Sequence, residues 1–255
     1  MIKIENLIAG YYKEKNILKI SSLEFAERKI NSIIGLNGSG KSTLLKTIIG
    51  LTNYSGNIFV DKKNLSSLSH KERAKKIAYL PQNYSVVNMD VYTLVCHGRF
   101  PYLGFSKVLS KQDKDLVEYS LSLTDLWQKR FYSVKEISGG ERQRAYIAMA
   151  IAQNTKMLLL DEVCSSVDIK HQIKIMKILH KLAEDGKGII LTSHNLEQSF
   201  SDSDIITLLD EGKIVSSKSP QEFLKDKNSI KDIFKVSLKQ TQEKNSLYKY
   251  ILLSY

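Results

Sequence analysis

Residues 35–43 read Gly-Leu-Asn-Gly-Ser-Gly-Lys-Ser-Thr and constrain the fold of this chain more than any other segment. They fit the phosphate-binding pattern G-x-x-x-x-G-K-[ST]. Residues 29–34 before them are rich in β-branched side chains and predict a strand. Residues 42–49 after them predict a helix that ends at Gly50. A strand, a glycine turn and a helix in this order are the arrangement that a polyphosphate site requires.

The glycine turn explains which ligand such a site takes. Glycines let the backbone curl so that its N–H groups point inward at a polyphosphate. The N-terminus of the following helix adds roughly half a positive charge at the same place. Lys41 is predicted to contact the β- and γ-phosphates, and the hydroxyl of Ser42 to bind Mg²⁺. The segment therefore predicts a nucleotide site.

A second candidate lies where an apolar run, residues 157–160, ends in Asp161 and Glu162. Continuous apolar runs are typical of buried parallel strands, and α/β proteins bind their ligands at the carboxyl ends of such strands. Asp161 is placed to hold Mg²⁺ through water, and Glu162 to polarise an attacking water. The alternative is a pair of solvated acids in a loop.

Three further signals are weaker when taken singly. Ser138-Gly139-Gly140 precedes a predicted helix and forms a second candidate anion site, although such a sequence is also a common helix cap. Gln82 follows a predicted strand and is placed to accept from a metal-bound water, or is an ordinary loop residue. His194 follows another predicted strand and either contacts a γ-phosphate or is structural.

Composition limits the class of partner. The net charge is +11, but most of the 38 basic residues are lysines, and no dense basic run is flanked by aromatic residues. We therefore expect no nucleic-acid partner. The two cysteines form no disulfide framework and suit a reducing compartment. The N-terminus lacks an apolar signal core, and no uncharged run approaches the ~18–20 residues of a membrane span. We expect a soluble protein, or one that reaches a membrane through a partner.

The remaining chain carries structural expectations. Ile2–Tyr12, Ile17–Ile20 and Leu23–Ala26 are predicted to be antiparallel strands, with Tyr11 near a turn where its ring can stack on a base. Helical spacing predicts one buried face that is formed by Ile169, Ile173, Met176, Leu179 and Leu182. The segment 98–105 holds several aromatic residues and Arg99, and it forms either a docking surface or a local core.

Taken together, these motifs resemble the nucleotide-binding subunit of an ABC transporter, from about Ile4 to Phe234. The resemblance implies an α/β P-loop NTPase fold with a mostly parallel sheet, an N-terminal antiparallel β subdomain and a helical subdomain at about 83–155. It also implies one ATPase domain over 1–235, with a short β element over 236–255.

The resemblance assigns roles to individual residues. ATP binding falls to Tyr11 (or Tyr12), Gly35, Asn37, Gly38, Ser39, Gly40, Lys41, Ser42, Thr43, Ser138, Gly139, Gly140 and Glu141. Mg²⁺ binding falls to Ser42, Gln82 and Asp161, and catalysis to Glu162, His194 and Lys41. The D-loop is the segment 165–168, with Ser165 and Asp168. Glu141 stands where many relatives carry Gln.

The implied partners are a second copy of the chain, which completes an ATP sandwich, and a FecCD-type transmembrane permease. A periplasmic or lipoprotein substrate-binding protein acts indirectly. The implied location is peripheral, on the cytoplasmic face of the cell (inner) membrane. Residues 98–104 and 168–172 are similar to the ATPases of iron-siderophore, heme and vitamin B12 importers. The alternatives are an ATPase of a zinc or manganese importer or another ABC system, and a non-hydrolytic regulatory module.

Three departures from the family pattern are visible. Arg28 stands where relatives commonly have Gly, Val163-Cys164 replace Pro-Thr, and Asn195 replaces Asp. None of them removes a phosphate or metal contact. Cys164 is either a thiol whose modification blocks the site or a buried, neutral cysteine.

Overall fold

The computed structural model describes residues 1–11, 17–104, 108–165, 167–240 and 250–254. Its strands are β1 (Ile2–Gly10), β2 (Leu18–Phe25), β3 (Ile30–Ile34), β4 (Asn53–Val60), β5 (Lys63–Asn64), β6 (Ile77–Leu80), β7 (Met157–Asp161), β8 (Gly188–Thr192), β9 (Ile205–Asp210), β10 (Lys213–Lys218), β11 (Val236–Gln240) and β12 (Tyr250–Ser254). Its α-helices are α1 (Lys41–Ile48), α2 (His70–Ala74), α3 (Val91–Cys96), α4 (Lys111–Leu123), α5 (Gly139–Ala152), α6 (Ile169–Glu184), α7 (Leu196–Asp202), α8 (Pro220–Lys225) and α9 (Lys227–Phe234).

A six-stranded sheet with the order β10-β9-β3-β8-β7-β6 forms the centre. All neighbours from β9 to β6 are parallel, and β10 is an antiparallel edge strand. Every residue of β3, β7 and β8 is buried, as is typical of parallel strands that are covered on both faces. The carboxyl ends of β3, β8, β7 and β6 therefore meet at one edge, which is where the predicted site residues follow their strands.

The N-terminal strands form a separate antiparallel sheet with the order β2-β1-β4-β5. The prediction of two short strands over 17–26 is wrong, because β2 is one strand that pairs with β1 along its length. Ser21 and Ser22, both exposed, interrupt the alternation and look like a turn in the sequence. The register of β2 with β1 is the same on both sides of these serines. At Asn6, whose φ is +49°, it is the pairing of β1 with β4 that shifts. A Cβ on Gly56 would lie 2.1 Å from the Asn6 carbonyl oxygen, so this irregularity requires glycine on β4.

Helix α6 packs on the sheet with only part of its predicted face. Met176, Leu179 and Leu182 are buried, but Ile169 and Ile173 are 57% and 37% exposed, so the prediction for these two is wrong. Both lie in the first two turns of the helix, at the edge where the strands have ended. Helical spacing identifies the face of a helix and not how far the sheet beneath it extends.

The mixed α/β class with a parallel central sheet and an N-terminal antiparallel sheet is confirmed. Helices α3, α4 and α5 pack together within the region predicted as a helical subdomain. At the C-terminal end, β11 and β12 pair antiparallel, and the Leu252 N–H donates to Glu197 on α7. The domain boundaries at 235 and at about 83–155 stay predictions. Among the described residues, no helix is both long and apolar enough to span a bilayer.

Candidate active site

The phosphate-binding turn joins the buried end of β3 to α1. Two of its glycines are required by shape, because a Cβ on Gly35 would lie 2.1 Å from the Leu209 carbonyl oxygen, and Gly40 has a φ of +106°. The hydroxyl of Ser39 is buried and has no hydrogen-bond partner among the described residues. A bound phosphate would supply that partner, so the turn fits the polyphosphate that its sequence predicts.

Lys41 is buried at the start of α1. Its Nζ donates to the carbonyl oxygens of Gly35 and Leu36 at 2.9 Å and 3.1 Å. Burial lowers the pKa of the Lys41 ammonium, while the nearby charges of Glu162 and Asp161 act in the opposite direction. The Lys41 ammonium is therefore held by backbone carbonyl groups of the phosphate-binding turn itself.

Asp161 accepts hydrogen bonds from hydroxyl groups on three elements at the carboxyl edge of the sheet. Ser42 Oγ and Thr192 Oγ1 donate to its Oδ1 at 2.9 Å and 2.7 Å, and the Tyr79 hydroxyl donates to its Oδ2 at 3.4 Å. A serine hydroxyl beside a carboxylate is the kind of oxygen pair that Mg²⁺ accepts together with waters and phosphate oxygens. The predicted metal residues Ser42 and Asp161 therefore lie together.

Glu162 is the residue just beyond β7, and its φ is +49°. Its Oε2 accepts a hydrogen bond from Gln82 Nε2 at 2.8 Å and lies 3.7 Å from His194 Nδ1. Its backbone N–H donates to Thr192 Oγ1 at 2.9 Å, and Ser165 Oγ donates to its carbonyl oxygen at 2.8 Å. Two predicted residues from separate loops, Gln82 and His194, thus lie at the Glu162 carboxylate.

A cleft of about 700 Å³ opens between these groups. It is lined by Ile17, Asn37, Gly38, Gly40, Lys41, Ser42, Thr43, Gln82, Glu162 and His194. All of these except Ile17 were predicted from sequence as site residues. Tyr11 is 43% exposed, and the Lys46 ammonium lies 5.8 Å from the centre of its ring. The alternative, Tyr12, lies outside the described residues.

The second candidate anion site begins α5. Ser138 and Glu141 form a reciprocal capping box, and Lys129 forms a 2.6 Å ion pair with Glu141. The hydrogen bond from Lys129 lowers the pKa of Glu141 to about 2. A Cβ on Gly140 would lie 2.3 Å from the His171 ring, so any larger residue there would have to displace that ring. None of the residues 138–141 is among those that line the cleft of the single chain.

The D-loop and the sequence departures have local structural roles. Asp168 caps α6 and accepts hydrogen bonds from the backbone and the ring of His171 at 3.0 Å. Ser166 lies outside the described residues.

The Asn195 side chain caps α7, so it does what an aspartate does at that position. Arg28 has a φ of +58°, which explains why glycine suits this position in relatives.

Sequence reasoning missed Tyr79 and Thr192, which both contact Asp161. Each lies on a strand that was predicted, shortly before the predicted residues Gln82 and His194. The available signal was a hydroxyl side chain at the carboxyl end of a strand beside β7. This signal can be used only when the order of the strands is known, and the sequence alone does not give that order.

Comparisons with known proteins identify the family. The sequence profile described as "ABC transporter" matches residues 18–165. The chain is 38% identical over 222 residues to the petrobactin import ATP-binding protein FpuC of Bacillus anthracis, covering 86% of this chain and 82% of that protein. It is 35% identical over 223 residues to the ferric enterobactin transport ATP-binding protein FepC of Escherichia coli, covering 86% and 82% of the two chains.

Solved structures agree on the fold. The ADP conformation of MJ1267, an ATP-binding cassette of an ABC transporter, has a TM-score of 0.80 at 21% identity and covers 92% of this chain and 97% of that one. The dimeric post-hydrolysis state of the ATP-binding cassette MJ0796, bound to ADP and phosphate, has a TM-score of 0.75 at 27% identity and covers 86% and 99%. The resemblance and the fold predicted from the sequence are both confirmed. The chain belongs to the ABC transporter family and is one of its ATPases.

Proposed function

We propose that this chain is the ATP-hydrolysing motor of an importer that carries iron–siderophore complexes. The observation that carries the proposal is the similarity, over most of the chain, to ATP-binding proteins whose names specify import of petrobactin, ferric enterobactin and iron-hydroxamate. Residues 98–104 and 168–172 support the same subfamily. Heme and cobalamin complexes belong to the same chemical class of bulky metal chelates and are alternative cargoes.

The proposed chemistry divides among residues of this cleft. The turn and Lys41 hold the phosphates, and Ser42, Asp161 and Gln82 are the groups that would hold Mg²⁺. When bound, Mg²⁺ neutralises charge on the phosphates. Glu162 polarises the attacking water, and His194 lies 3.7 Å from the Glu162 carboxylate, where it is placed to contact the γ-phosphate. Phosphoryl transfer needs positioning and charge neutralisation more than covalent help, and this arrangement provides both.

Two copies of the chain are needed for a complete site under this proposal. Residues 138–141 lie outside the cleft of their own chain, so they are free to face the γ-phosphate held by a second copy. Two-fold symmetry then makes two equivalent sites. The dimeric form of the relative MJ0796 supports this arrangement.

The remaining partners are a FecCD-type permease and, indirectly, a periplasmic or lipoprotein substrate-binding protein. The chain would lie peripherally on the cytoplasmic face of the cell membrane. A helix of the permease would sit near Gln82 and the segment 86–105, in which Phe100, which is 57% exposed, is a candidate contact. Closure of the dimer on ATP would change the membrane access of the permease because ATP prefers the closed state.

The test is chelate-stimulated ATP turnover. The permease that co-purifies from detergent-solubilised membranes is identified and reconstituted with this chain and its binding protein. We expect a ferric siderophore to raise phosphate release above the basal rate, and the same complex carrying Glu162→Gln to show no increase. Stimulation by free zinc or manganese, with no response to any iron chelate, would reject the cargo assignment.

A further inference from the structure

Thr192 ends β8 directly beside the two carboxylates of the site. It is fully buried, at 1% exposure, and it lies opposite Asp161 in the parallel pairing of β7 with β8. Its hydroxyl donates to Asp161 Oδ1 at 2.7 Å and accepts from the Glu162 backbone N–H at 2.9 Å. A hydroxyl has one proton to donate and lone pairs to accept with. One side chain therefore links the side chain of the first acid to the backbone of the second.

The backbone of Glu162 needs such a support. Its φ of +49° is in the left-handed region, which side chains other than glycine rarely adopt. Strained backbone of this kind persists only where surrounding groups fix it, and it is concentrated at functional sites. Ser165 holds the carbonyl oxygen of Glu162 with its N–H at 3.1 Å and its hydroxyl at 2.8 Å. Thr192 holds the N–H on the other side of the same residue.

The two bonds of Thr192 differ in how easily they are replaced. Asp161 also accepts from Ser42 and Tyr79, so it has other donors. The Glu162 N–H has Thr192 as its hydrogen-bond acceptor among the described residues. Removing the hydroxyl therefore leaves a part-buried donor without its partner at the residue whose orientation matters for catalysis.

We propose that Thr192 is a positioning residue for ATP hydrolysis, because its hydroxyl fixes the orientation of Glu162 relative to Asp161. The inference rests on the roles proposed above for these two acids. It predicts a specific kinetic signature. Among the described residues, the hydroxyl of Thr192 bonds to Asp161 and Glu162 and not to Lys41 or the phosphate-binding turn, so ATP binding should persist while the chemical step slows.

The test compares Thr192→Val, which keeps the shape and removes the hydroxyl, with Thr192→Ser, which keeps the hydroxyl. We expect Thr192→Val to lower kcat by about 10- to 100-fold, which corresponds to about 1.4–2.7 kcal/mol of barrier. KM for ATP and the calorimetric ATP affinity, with and without Mg²⁺, should change by less than about 3-fold. Thr192→Ser should recover most of kcat.

A matched control is Thr207→Val. Thr207 is fully buried on β9 of the same sheet, which β3 separates from β8, and its hydroxyl bonds to Ser217 Oγ at 2.9 Å. This variant should keep its kcat. A readout other than activity is amide hydrogen exchange of residues 161–163 in nucleotide-free protein, which should accelerate in Thr192→Val and not in Thr207→Val.

The proposal is overturned if folded Thr192→Val turns over within about 2-fold of the wild type, or if Thr192→Ser is as slow as Thr192→Val. If valine prevents folding, Thr192→Ala against Thr192→Ser makes the same comparison. Failure of the proposed function can be told apart from failure of the Thr192 proposal. A normal rate of ATP hydrolysis in Glu162→Gln would reject the catalytic role of Glu162, independently of the result for Thr192. A slow Glu162→Gln beside a normal Thr192→Val would reject Thr192 alone.

Discussion

Glu162 shows at the level of one residue how the fold prepares a catalytic group. Its carboxylate accepts from Gln82, and its carbonyl oxygen accepts from Ser165. Its backbone N–H donates to Thr192. Ser165 is three residues away in the same loop. Gln82 and Thr192 are far apart in sequence, and they meet at Glu162 because β6, β7 and β8 are parallel neighbours. The geometry therefore depends on the whole sheet, although the chemistry is performed by one side chain.

Replacing this carboxylate should separate binding from turnover. We expect Glu162→Gln to keep ATP affinity, because the amide is isosteric and the phosphate-binding turn is unchanged. Turnover should fall by about 10²–10⁴-fold, or roughly 3–5 kcal/mol of barrier, because the general base is lost. Calorimetry and phosphate release measure the two quantities. Lys41→Ala is the contrasting variant and should lose ATP affinity itself. A normal steady-state rate in Glu162→Gln would contradict the assignment.

Cys164 replaces a residue that the family pattern gives as Thr, and the sequence left its reactivity open. Burial raises the pKa of the Cys164 thiol from 9.0 to about 12, although the residue as a whole is half-buried. Burial also raises the pKa of Cys96. The structure therefore favours an inert, neutral thiol over a reactive one near the D-loop.

The reactivity of Cys164 is directly measurable. In a Cys96→Ser background at pH 8, we expect an aromatic disulfide reagent to label native protein about 10²–10³-fold more slowly than unfolded protein, because the thiolate is the reactive form. A raised folded-state pKa favours the native state below pH about 9, and this contribution is lost as the pH rises towards 12. Fast stoichiometric labelling with loss of ATPase activity would support the reactive alternative.

At the scale of elements, a buried ion pair joins three parts of the helical region. Arg99, in the turn after α3, donates from Nε to Asp113 Oδ1 at 2.8 Å and from Nη1 to the Ala152 carbonyl at 2.7 Å. Asp113 also accepts from the Ser110 N–H and closes the capping box of α4. Arg99 is therefore a structural residue, while the adjacent Phe100 is exposed. The exposure of Phe100 leaves the docking surface a prediction, and Phe105 lies outside the described residues.

The ion pair predicts a large stability effect from a small change. Asp113→Asn keeps an acceptor for the Ser110 N–H but leaves the buried Arg99 guanidinium without a counter-charge. We expect it to lower the free energy of unfolding by about 3 kcal/mol. Asp115→Asn, on the exposed side of the same helix, should stay within about 0.5 kcal/mol. Urea unfolding compares the two. Equal effects would show that the Arg99–Asp113 pair is not what stabilises this region.

The elements also show what the sequence can and cannot predict. Strands β7 and β8 were predictable, because an apolar run followed by a chemically specific residue is a strong local signal, and β3 was predictable from its isoleucines before the glycine turn. The role of Thr192 was not, since a threonine before a loop is ordinary until β8 is known to lie beside β7. The unbroken course of β2 was also hidden, because it follows from continuous pairing with β1 and not from the alternation in its own sequence. Local patterns predict elements, and contacts between them follow from the order of the strands.

At the scale of the molecule, the two anion sites of one chain are separated. The phosphate-binding turn lines the cleft, whereas residues 138–141 do not. Helix α5 nevertheless begins at a glycine pair that Ser138 caps, and a helix N-terminus of this kind is suited to an anion. The excess positive charge of +11 favours approach of a polyanionic nucleotide to either site. A second copy of the chain is the partner that brings the two kinds of site together.

Assembly of two copies on MgATP can be measured by particle mass. Glu162→Gln saturated with MgATP should form a particle of twice the 29.0 kDa chain mass, because unhydrolysed ATP keeps both halves in contact. Light scattering after size exclusion measures the particle mass. Without Mg²⁺, or with Lys41→Ala added to Glu162→Gln, the mass should be that of a single chain. Particles that stay at 29.0 kDa with MgATP bound, even when the permease is present, would contradict the two-copy site.

The surface that holds the dimer can be tested with a second variant. A Cβ on Gly139 meets no atom of the described residues within 4 Å, so a side chain there is tolerated by its own chain. We therefore expect Gly139→Glu, added to Glu162→Gln, to keep ATP affinity and prevent dimerisation, because its carboxylate would face the γ-phosphate held by the other copy. If the dimer persists in this double variant, the two chains associate through another surface, and residues 138–141 do not complete the ATP site.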